Sequence, residues 1–137
     1  MEEAQVLAHI NNSGIVDVYT CFEEHNTAYM VMEFVNDKSH AEVIHERGAL
    51  PEEEAVGYIR QVGTALARVR EQGLLHRGIK RGNIMLTNDG RPVLIDFGTA
   101  REFAPNKTGL VAPMLTEGYA SPDQYRRKAQ FGPYTDI

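Results

Sequence analysis

The sequence predicts a single domain of the α+β class on three observations. Two β-rich segments near the start, IVDVYTCF and AYMVMEFV, are separated by five polar residues, a pattern typical of an antiparallel hairpin. A long amphipathic segment follows between positions 51 and 72. Two short apolar segments, IMLT and PVLI, then flank the turn sequence NDGR. With 137 residues, the chain has the size of one ordinary domain.

Three segments are predicted to be helical. EEAQVLAHI near the start places its apolar residues on one helical face, and HAEVIHERG predicts a short helix that ends at Gly48. The long helix has Pro51 for its first turn and Gly73 as its stop signal. Its apolar residues recur every three or four positions: Ala55, Ile59, Val62, Leu66 and Val69. This helix leads directly into the most polar loop of the chain.

Composition and charge exclude several classes of function. The net charge is −5 and no basic stripe occurs, so we expect no nucleic-acid surface. The single cysteine, Cys21, cannot form an internal disulfide and favours a reducing compartment. No apolar segment reaches transmembrane length, and the start lacks the pattern of a signal peptide. We therefore expect a cytoplasmic protein without a membrane segment.

The segment LLHRGIKRGNIML, at 74–86, places a His, an Arg, a Lys and an Asn within eight positions, with Gly78 among them. If Thr87 pairs with Pro92 in the following hairpin, Asn83 lies opposite Asp96. Amide and carboxylate oxygens are suitable ligands for Mg²⁺, and Lys80 is close enough in sequence to reach a phosphate there. The alternative is that Asn83 and Asp96 are polar strand ends that face solvent.

LLHRGIKRGNIML followed by VLIDFGTA resembles the catalytic loop and the metal-binding D-F-G motif of protein kinases. TEGYASPDQY and FGPYTDI extend the resemblance toward bacterial serine/threonine protein kinases. The implied fold is a partial protein-kinase-like α+β fold over residues 1–137. Residues 1–35 are implied to be an N-lobe remnant with the hinge, and residues 36–137 the first half of the helical C-lobe.

The resemblance also implies the site residues, together with ATP and Mg²⁺ as cofactors. The nucleotide and metal positions are Lys80 near the γ-phosphate, Asn83 and Asp96 as Mg²⁺ ligands, and Met32, Glu33, Val35 and Met85 around the adenine. The regulatory and structural positions are Glu3 in the C helix, Arg77, Phe97, Gly98, Thr116 and Asp136. Taken alone, the methionines favour packing in an ordinary core over a nucleotide pocket.

Several departures from the family pattern affect the functional interpretation. Gly78 occupies the position of the aspartate that orients the substrate hydroxyl. No G-x-G-x-x-G motif occurs, and no lysine precedes Glu3. Arg81 and His40 stand where proline and an apolar residue are usual. Because the sequence stops shortly after Asp136, we expect the apolar stripe of the long helix to be partly uncovered.

These features predict a serine/threonine protein kinase-like fragment that is impaired or inactive, acting on or binding a protein. The family reaction is Mg²⁺-ATP-dependent phosphoryl transfer to protein hydroxyls. One alternative is a pseudokinase module that binds nucleotide and engages a partner protein. Another is a gene fragment without a function.

Overall fold

The computed structural model describes residues 9–97, 101–102, 117–125 and 133–136. Seven strands lie within these ranges: β1 (Val18–Glu24), β2 (Thr27–Met32), β3 (Lys38–Ser39), β4 (Leu74–Leu75), β5 (Ile84–Leu86), β6 (Pro92–Leu94) and β7 (Arg101–Glu102). The α-helices are α1 (His40–Arg47) and α2 (Glu52–Glu71). Three short 3₁₀ helices span Arg81–Asn83, Pro122–Tyr125 and Pro133–Asp136. The predicted α+β class is confirmed.

Strands β1 and β2 form the predicted antiparallel hairpin. The turn is tighter than the five polar residues suggested, because β1 continues to Glu24 and β2 begins at Thr27. His25 and Asn26 form the turn with φ values of 49° and 57°. Two consecutive left-handed residues match a type I′ turn, whose twist suits a two-residue hairpin connection.

Both predicted helices of the central segment are confirmed, and local sequence signals explain their limits. The Ser39 hydroxyl accepts from Glu42 N–H, and the Glu42 carboxylate accepts from Ser39 N–H, forming a capping box at the start of α1. Gly48 ends α1 with a φ of 78°, and Gly73 follows α2 with a φ of 74°. An Arg47–Glu54 ion pair of 2.8 Å connects the two helices.

The core lies between α2 and the segment that precedes β1. Val62, Ala65 and Val69 of α2 are buried in one cluster with Ile15, Val16, Leu74, Val93, Leu94 and Phe97. Residues 14–16 run beside β6: Val16 N–H donates to Leu94 O at 3.0 Å, and Leu94 N–H donates to Gly14 O at 2.8 Å. The core therefore joins the start of the described chain to the sheet.

The prediction that the apolar stripe of α2 is partly uncovered is correct at one end and wrong at the other. Ile59 is 71% exposed, but Val62 and Val69 are buried. Val62 and Val69 are covered because the segment around Ile15 and Val16 packs into the same core cluster. The exposed part of the stripe is therefore confined to the first half of the helix.

The predicted hairpin of IMLT and PVLI is confirmed, but its register is wrong by one residue. Leu86, not Thr87, pairs with Pro92, and Thr87 N–H donates to Arg91 O at 3.0 Å. The shift arises because Gly90, with a φ of 77°, closes a three-residue loop that the sequence interpretation treated as four residues. The resulting sheet has the order β3–β5–β6.

Some predictions concern residues outside the described ranges. Residues 2–8 of the helix predicted at the start, together with Glu3, Gly98 and Thr116, belong to this group, whereas the last two residues of that helix, His9 and Ile10, are described and are not helical. In the part of the chain that the structure describes, no helix combines the length and apolarity needed to span a membrane.

Candidate active site

The loop after β4 is fixed by a carboxylate from the far end of the described chain. Asp136 accepts the backbone N–H of His76 at 2.7 Å through Oδ2 and that of Arg77 at 2.6 Å through Oδ1. Arg77 has a φ of 57°, a left-handed conformation that is uncommon for a residue with a side chain. Asp136 therefore satisfies two backbone donors at the point where the loop reverses direction.

His76 connects this loop to the sheet and is fully buried. Its Nδ1 accepts the Gly78 N–H at 3.1 Å, so the ring proton belongs on Nε2, which donates to Ile95 O at 3.1 Å. The ring packs against Phe97 with a centroid distance of 4.5 Å. Burial lowers the pKa of His76 below its ordinary value of 6.5, which keeps the imidazole neutral.

Gly78 and Asn83 are joined directly. Buried Asn83 donates its side-chain Nδ2 to Gly78 O at 2.8 Å, and its backbone N–H donates to Lys80 O at 2.9 Å. These bonds close the loop and leave the Asn83 Oδ1 as the amide atom suited to a cation. The loop is therefore organised around a residue that has no side chain.

The predicted strand register, which placed Asn83 opposite Asp96, was wrong by one residue, although the two residues are neighbours in the fold. Asn83 lies opposite Ile95, whose N–H donates to Asn83 O at 3.0 Å, and Asp96 follows as the next residue. Asp96 is exposed and left-handed, with a φ of 61°. No cluster of three or more His, Cys, Asp or Glu side chains suited to a metal occurs within the described ranges. An amide and a carboxylate still form an oxygen donor set that suits Mg²⁺ when phosphates and water complete the shell.

The residues expected around an adenine lie at the junction of the hairpin and the central sheet. Met32 and Val35 pack against the buried core, and Glu33 N–H donates to Asp17 O at 2.8 Å. Met85 occupies the middle strand of the second sheet, between Ser39 and Val93. Met32 and Val35 thus have a packing role in the fold, as the core interpretation anticipated for Met32, whereas the Glu33 side chain is exposed.

On the other side of Gly78 is a cleft of 510 Å³. It is lined by Arg77, Gly78, Ile79, Thr135 and Asp136, and by the segment around Tyr119, Ser121 and Gln124. Gln124 Nε2 donates to Arg77 O at 3.0 Å, and Gln124 Oε1 accepts the Ser121 N–H at 3.1 Å. Gln124 therefore connects the loop to the opposite wall of the cleft. Sequence reasoning did not single out Gln124, because nothing local indicates a contact across 47 positions.

Arg81 and His40, which depart from the family pattern, both have structural contacts. Arg81 Nε donates to the Tyr119 hydroxyl at 2.8 Å and so connects the loop to the rim of the cleft. His40 packs edge-on against Tyr58 with ring centroids 5.8 Å apart. Burial, followed by the charge of Arg81, lowers the pKa of His40. These two residues therefore belong to the packing around the loop.

Comparison with known proteins identifies the family. The protein kinase domain family matches residues 1–137. The chain is 35% identical over 127 residues to the serine/threonine-protein kinase PknL of Mycobacterium tuberculosis, covering 90% of this chain and 31% of that protein. It is 38% identical over 130 residues to PknA of the same species, covering 89% of this chain and 30% of PknA. A probable serine/threonine-protein kinase of Clostridium perfringens, CPE1738, is 32% identical over 136 residues, which is 98% of this chain and 19% of that protein.

The chain therefore spans about a third or less of the curated relatives it matches. The family match extends over its whole length, and the relatives are bacterial serine/threonine protein kinases. The chain belongs to the protein kinase domain family, as part of a bacterial serine/threonine protein kinase-like domain.

Proposed function

We propose that this chain is a protein kinase-like unit that binds Mg²⁺-ATP but is impaired in phosphoryl transfer to a protein hydroxyl. The observation that carries the proposal is the hydrogen bond from Asn83 Nδ2 to Gly78 O. It holds the loop closed and leaves the amide oxygen of Asn83 for a cation. The kinase reaction depends on such positioning of phosphate and metal.

The proposed nucleotide contacts follow from the donors and acceptors of the chain. Asn83 and Asp96 would supply oxygen ligands to Mg²⁺, and Lys80 would contact the γ-phosphate. Along the hinge, the Glu33 N–H is already bonded to Asp17, so Glu33 O and Val35 N–H are the groups suited to the adenine edge. Met32 and Met85 would contact the base through their side chains, as the resemblance implies.

The impairment follows from Gly78. Protein kinases use an aspartate at this position to accept and orient the substrate hydroxyl. A positioned general base contributes about 10²- to 10⁴-fold to such a reaction. Since glycine supplies no carboxylate, nucleotide binding is proposed to persist while transfer is slow or absent.

The remaining proposed roles come from the family resemblance. Glu3 would occupy the position of the C-helix glutamate, although no lysine precedes it in this sequence, and Thr116 would support the substrate loop. Gly98 would give the D-F-G turn its freedom, and a protein would be the substrate or partner. A single free cysteine, Cys21, is consistent with the proposed cytoplasmic location.

Titration of the 137-residue protein with ATP, with and without Mg²⁺, tests the nucleotide proposal by calorimetry. We expect Mg²⁺ to tighten binding about tenfold, the factor expected for one added charge-assisted contact. Asp96→Asn should abolish this Mg²⁺ effect, whereas Asp89→Asn, in the exposed turn after β5, should retain it. Equal binding with and without Mg²⁺ in the unmodified protein would overturn the proposed metal site.

A pseudokinase module is the second candidate, favoured by the same Gly78. In this case the chain binds nucleotide only to stabilise a surface for a partner protein. The variant Gly78→Asp separates the two functions, because restoring a carboxylate should produce phosphate transfer to a serine peptide only if the other groups remain competent. A Gly78→Asp protein that binds Mg²⁺-ATP and transfers nothing would support the module.

A further inference from the structure

Helix α2 carries a second apolar face, which the core does not cover. The buried residues Val62, Ala65 and Val69 lie on one side of the helix, and a stripe with alternating spacings of four and three residues lies about 100° away. Such spacings are typical of the contact line between paired helices. Ile59 in this stripe is 71% exposed and Val56 is 38% exposed. We call the stripe the α2 seam; its members are Glu52, Val56, Ile59, Gly63, Leu66 and Arg70.

The order of residues along the α2 seam is complementary to its own reversal. When two copies of α2 lie antiparallel, with the symmetry axis at the level of position 61, Ile59 faces Gly63 of the second copy. Val56 then faces Leu66 of the second copy, so each larger side chain meets a partner of suitable size. Glu52 faces Arg70 of the second copy at both ends. A parallel arrangement would instead bring like charges together.

The two charges at the ends of the α2 seam are not paired within the chain. In the part of the chain that the structure describes, the exposed side chains of Glu52 and Arg70 form no hydrogen bond and no ion pair. By contrast, their helix neighbours Glu54 and Arg68 already form ion pairs of 2.8 Å. Exposed pairs add little affinity, so these charges would mainly select the direction of pairing.

The middle of the α2 seam has room for a large side chain. A Cβ atom added at Gly63 would meet no atom within 4 Å. The seam also forms one wall of an apolar groove of 510 Å³, whose other walls include Ile44 of α1 and Ile79 of the loop after β4. Ile59 of a second copy, placed opposite Gly63, would lie at the mouth of this groove. Burial of that side chain favours association, and two-fold symmetry makes the contact twice.

We propose that the α2 seam is a homodimer interface, in which the α2 helices of two copies of this chain pair antiparallel. The partner is a second copy because the seam matches its own reversal in both side-chain size and charge. Paired helices lie about 8–10 Å apart, and a glycine at the contact favours the shorter distance. The inference goes beyond the proposed function, because no residue of the seam is a proposed nucleotide or metal contact.

Analytical ultracentrifugation of the 137-residue protein without nucleotide tests the association. We expect the mean mass to rise from that of one chain toward that of two as the concentration increases from about 1 to 300 μM, a range suited to a small interface. A monomer over the whole range would overturn the proposal and would leave the α2 seam to a different partner.

Two leucine variants test whether the α2 seam is the contact. Gly63→Leu fills the space that Ile59 of the second copy needs and should weaken association at least about tenfold. Gly57→Leu places the same side chain on the same helix away from the seam, and a Cβ there also meets no atom within 4 Å, so association should be unchanged. Leucine favours helix over glycine, and circular dichroism checks that both variants are folded. Association that survives Gly63→Leu, or equal loss in both variants, would contradict the proposal.

A charge exchange tests the antiparallel direction. Glu52→Lys places like charges at both ends of the antiparallel pair and should weaken association about tenfold at low salt. Adding Arg70→Glu restores opposite charges and should recover the affinity. Because both positions are exposed and unpaired among the described residues, these variants keep the ion pairs of the fold. Normal association of the single variant, or no recovery in the double variant, would contradict antiparallel pairing.

Discussion

The β1–β2 hairpin and the loop segment Leu74–Gly78 are both short and rich in apolar residues, yet they are held in opposite ways. The hairpin relies on neighbours in sequence, and its aromatic residue Phe22 remains 41% exposed beside Tyr29. The loop segment is buried, and its partners lie up to 60 positions away. The hairpin is therefore held mainly by pairing between its own strands, although Val18 and Met32 also contact the core, whereas the loop depends on residues distant in the sequence.

This difference indicates that the hydrogen bonds that hold the site loop persist although the loop lacks the carboxylate of an active kinase. Gly78 supplies no reactive group, but its N–H, its carbonyl and the preceding backbone are bonded to His76, Asn83 and Asp136. The scaffold that positions a kinase loop is thus present even though the acceptor-side carboxylate is not. We expect substitutions in the scaffold to have larger effects on folding than substitutions in the hairpin.

The largest effect is expected for Asp136→Ala. The change leaves the backbone donors of His76 and Arg77 without their acceptor in a buried loop, and we expect the free energy of unfolding to fall by about 3 kcal/mol. Denaturant unfolding followed by circular dichroism measures this. The control Asp89→Ala removes a carboxylate that is 71% exposed and should cost about 0.5 kcal/mol or less. Equal losses in the two variants would contradict the long-range role of Asp136.

A smaller effect is expected from the protonation of His76. Its pKa is lowered in the folded protein, so below the ordinary value of 6.5 the unfolded chain binds the proton more readily than the folded one. Stability is therefore complete above pH 6.5 and falls as the pH drops, by about 1 kcal/mol between pH 7.5 and 5.5. Burial also lowers the pKa of His40, which acts in the same direction.

The variant His76→Phe keeps a buried ring and removes the titrating group. We expect its unfolding free energy to depend less steeply on pH over this range, measured by denaturation at several pH values. His45→Phe, on the exposed side of α1, should retain the pH dependence of the unmodified protein. An unchanged slope in His76→Phe would show that other groups cause the acid sensitivity.

The smallest effect is expected in the hairpin. Phe22 stacks on Tyr29 with ring centroids 5.1 Å apart, but both rings are partly exposed. Phe22→Ala should reduce the free energy of unfolding by about 0.5 to 1 kcal/mol, the size of one cross-strand pair. Thermal denaturation measures this loss of stability. The control is Tyr19→Ala, which truncates a neighbouring exposed aromatic residue. A loss as large as that of Asp136→Ala would remove the distinction between the two regions.

The parts of the fold that depend on local signals could be predicted from the sequence. Helix α1 ends at Gly48 and α2 lies between Pro51 and Gly73 because capping, proline and glycine preferences act within a few residues. The register of the β5–β6 hairpin could not be predicted as securely, because a three-residue and a four-residue loop both fit NDGR. The choice depended on the left-handed conformation of Gly90.

The candidate site was only partly predictable for a related reason. The motif placed Gly78 and Asn83 in one loop, but it gave no indication of how the loop is held. The contacts of Asp136 and Gln124 connect positions 47 to 60 residues apart, and no periodicity or spacing rule encodes such pairs.

Amide hydrogen exchange tests most directly the claim that the core, not the local sequence, builds the loop around Gly78. We predict that the His76, Arg77 and Gly78 amides exchange as slowly as the core amides of α2, through global unfolding. The hydrogen-bonded amides of the β1–β2 hairpin should exchange at least about tenfold faster, since a local structure can open alone. Loop amides that exchange as fast as those of the hairpin would contradict the account.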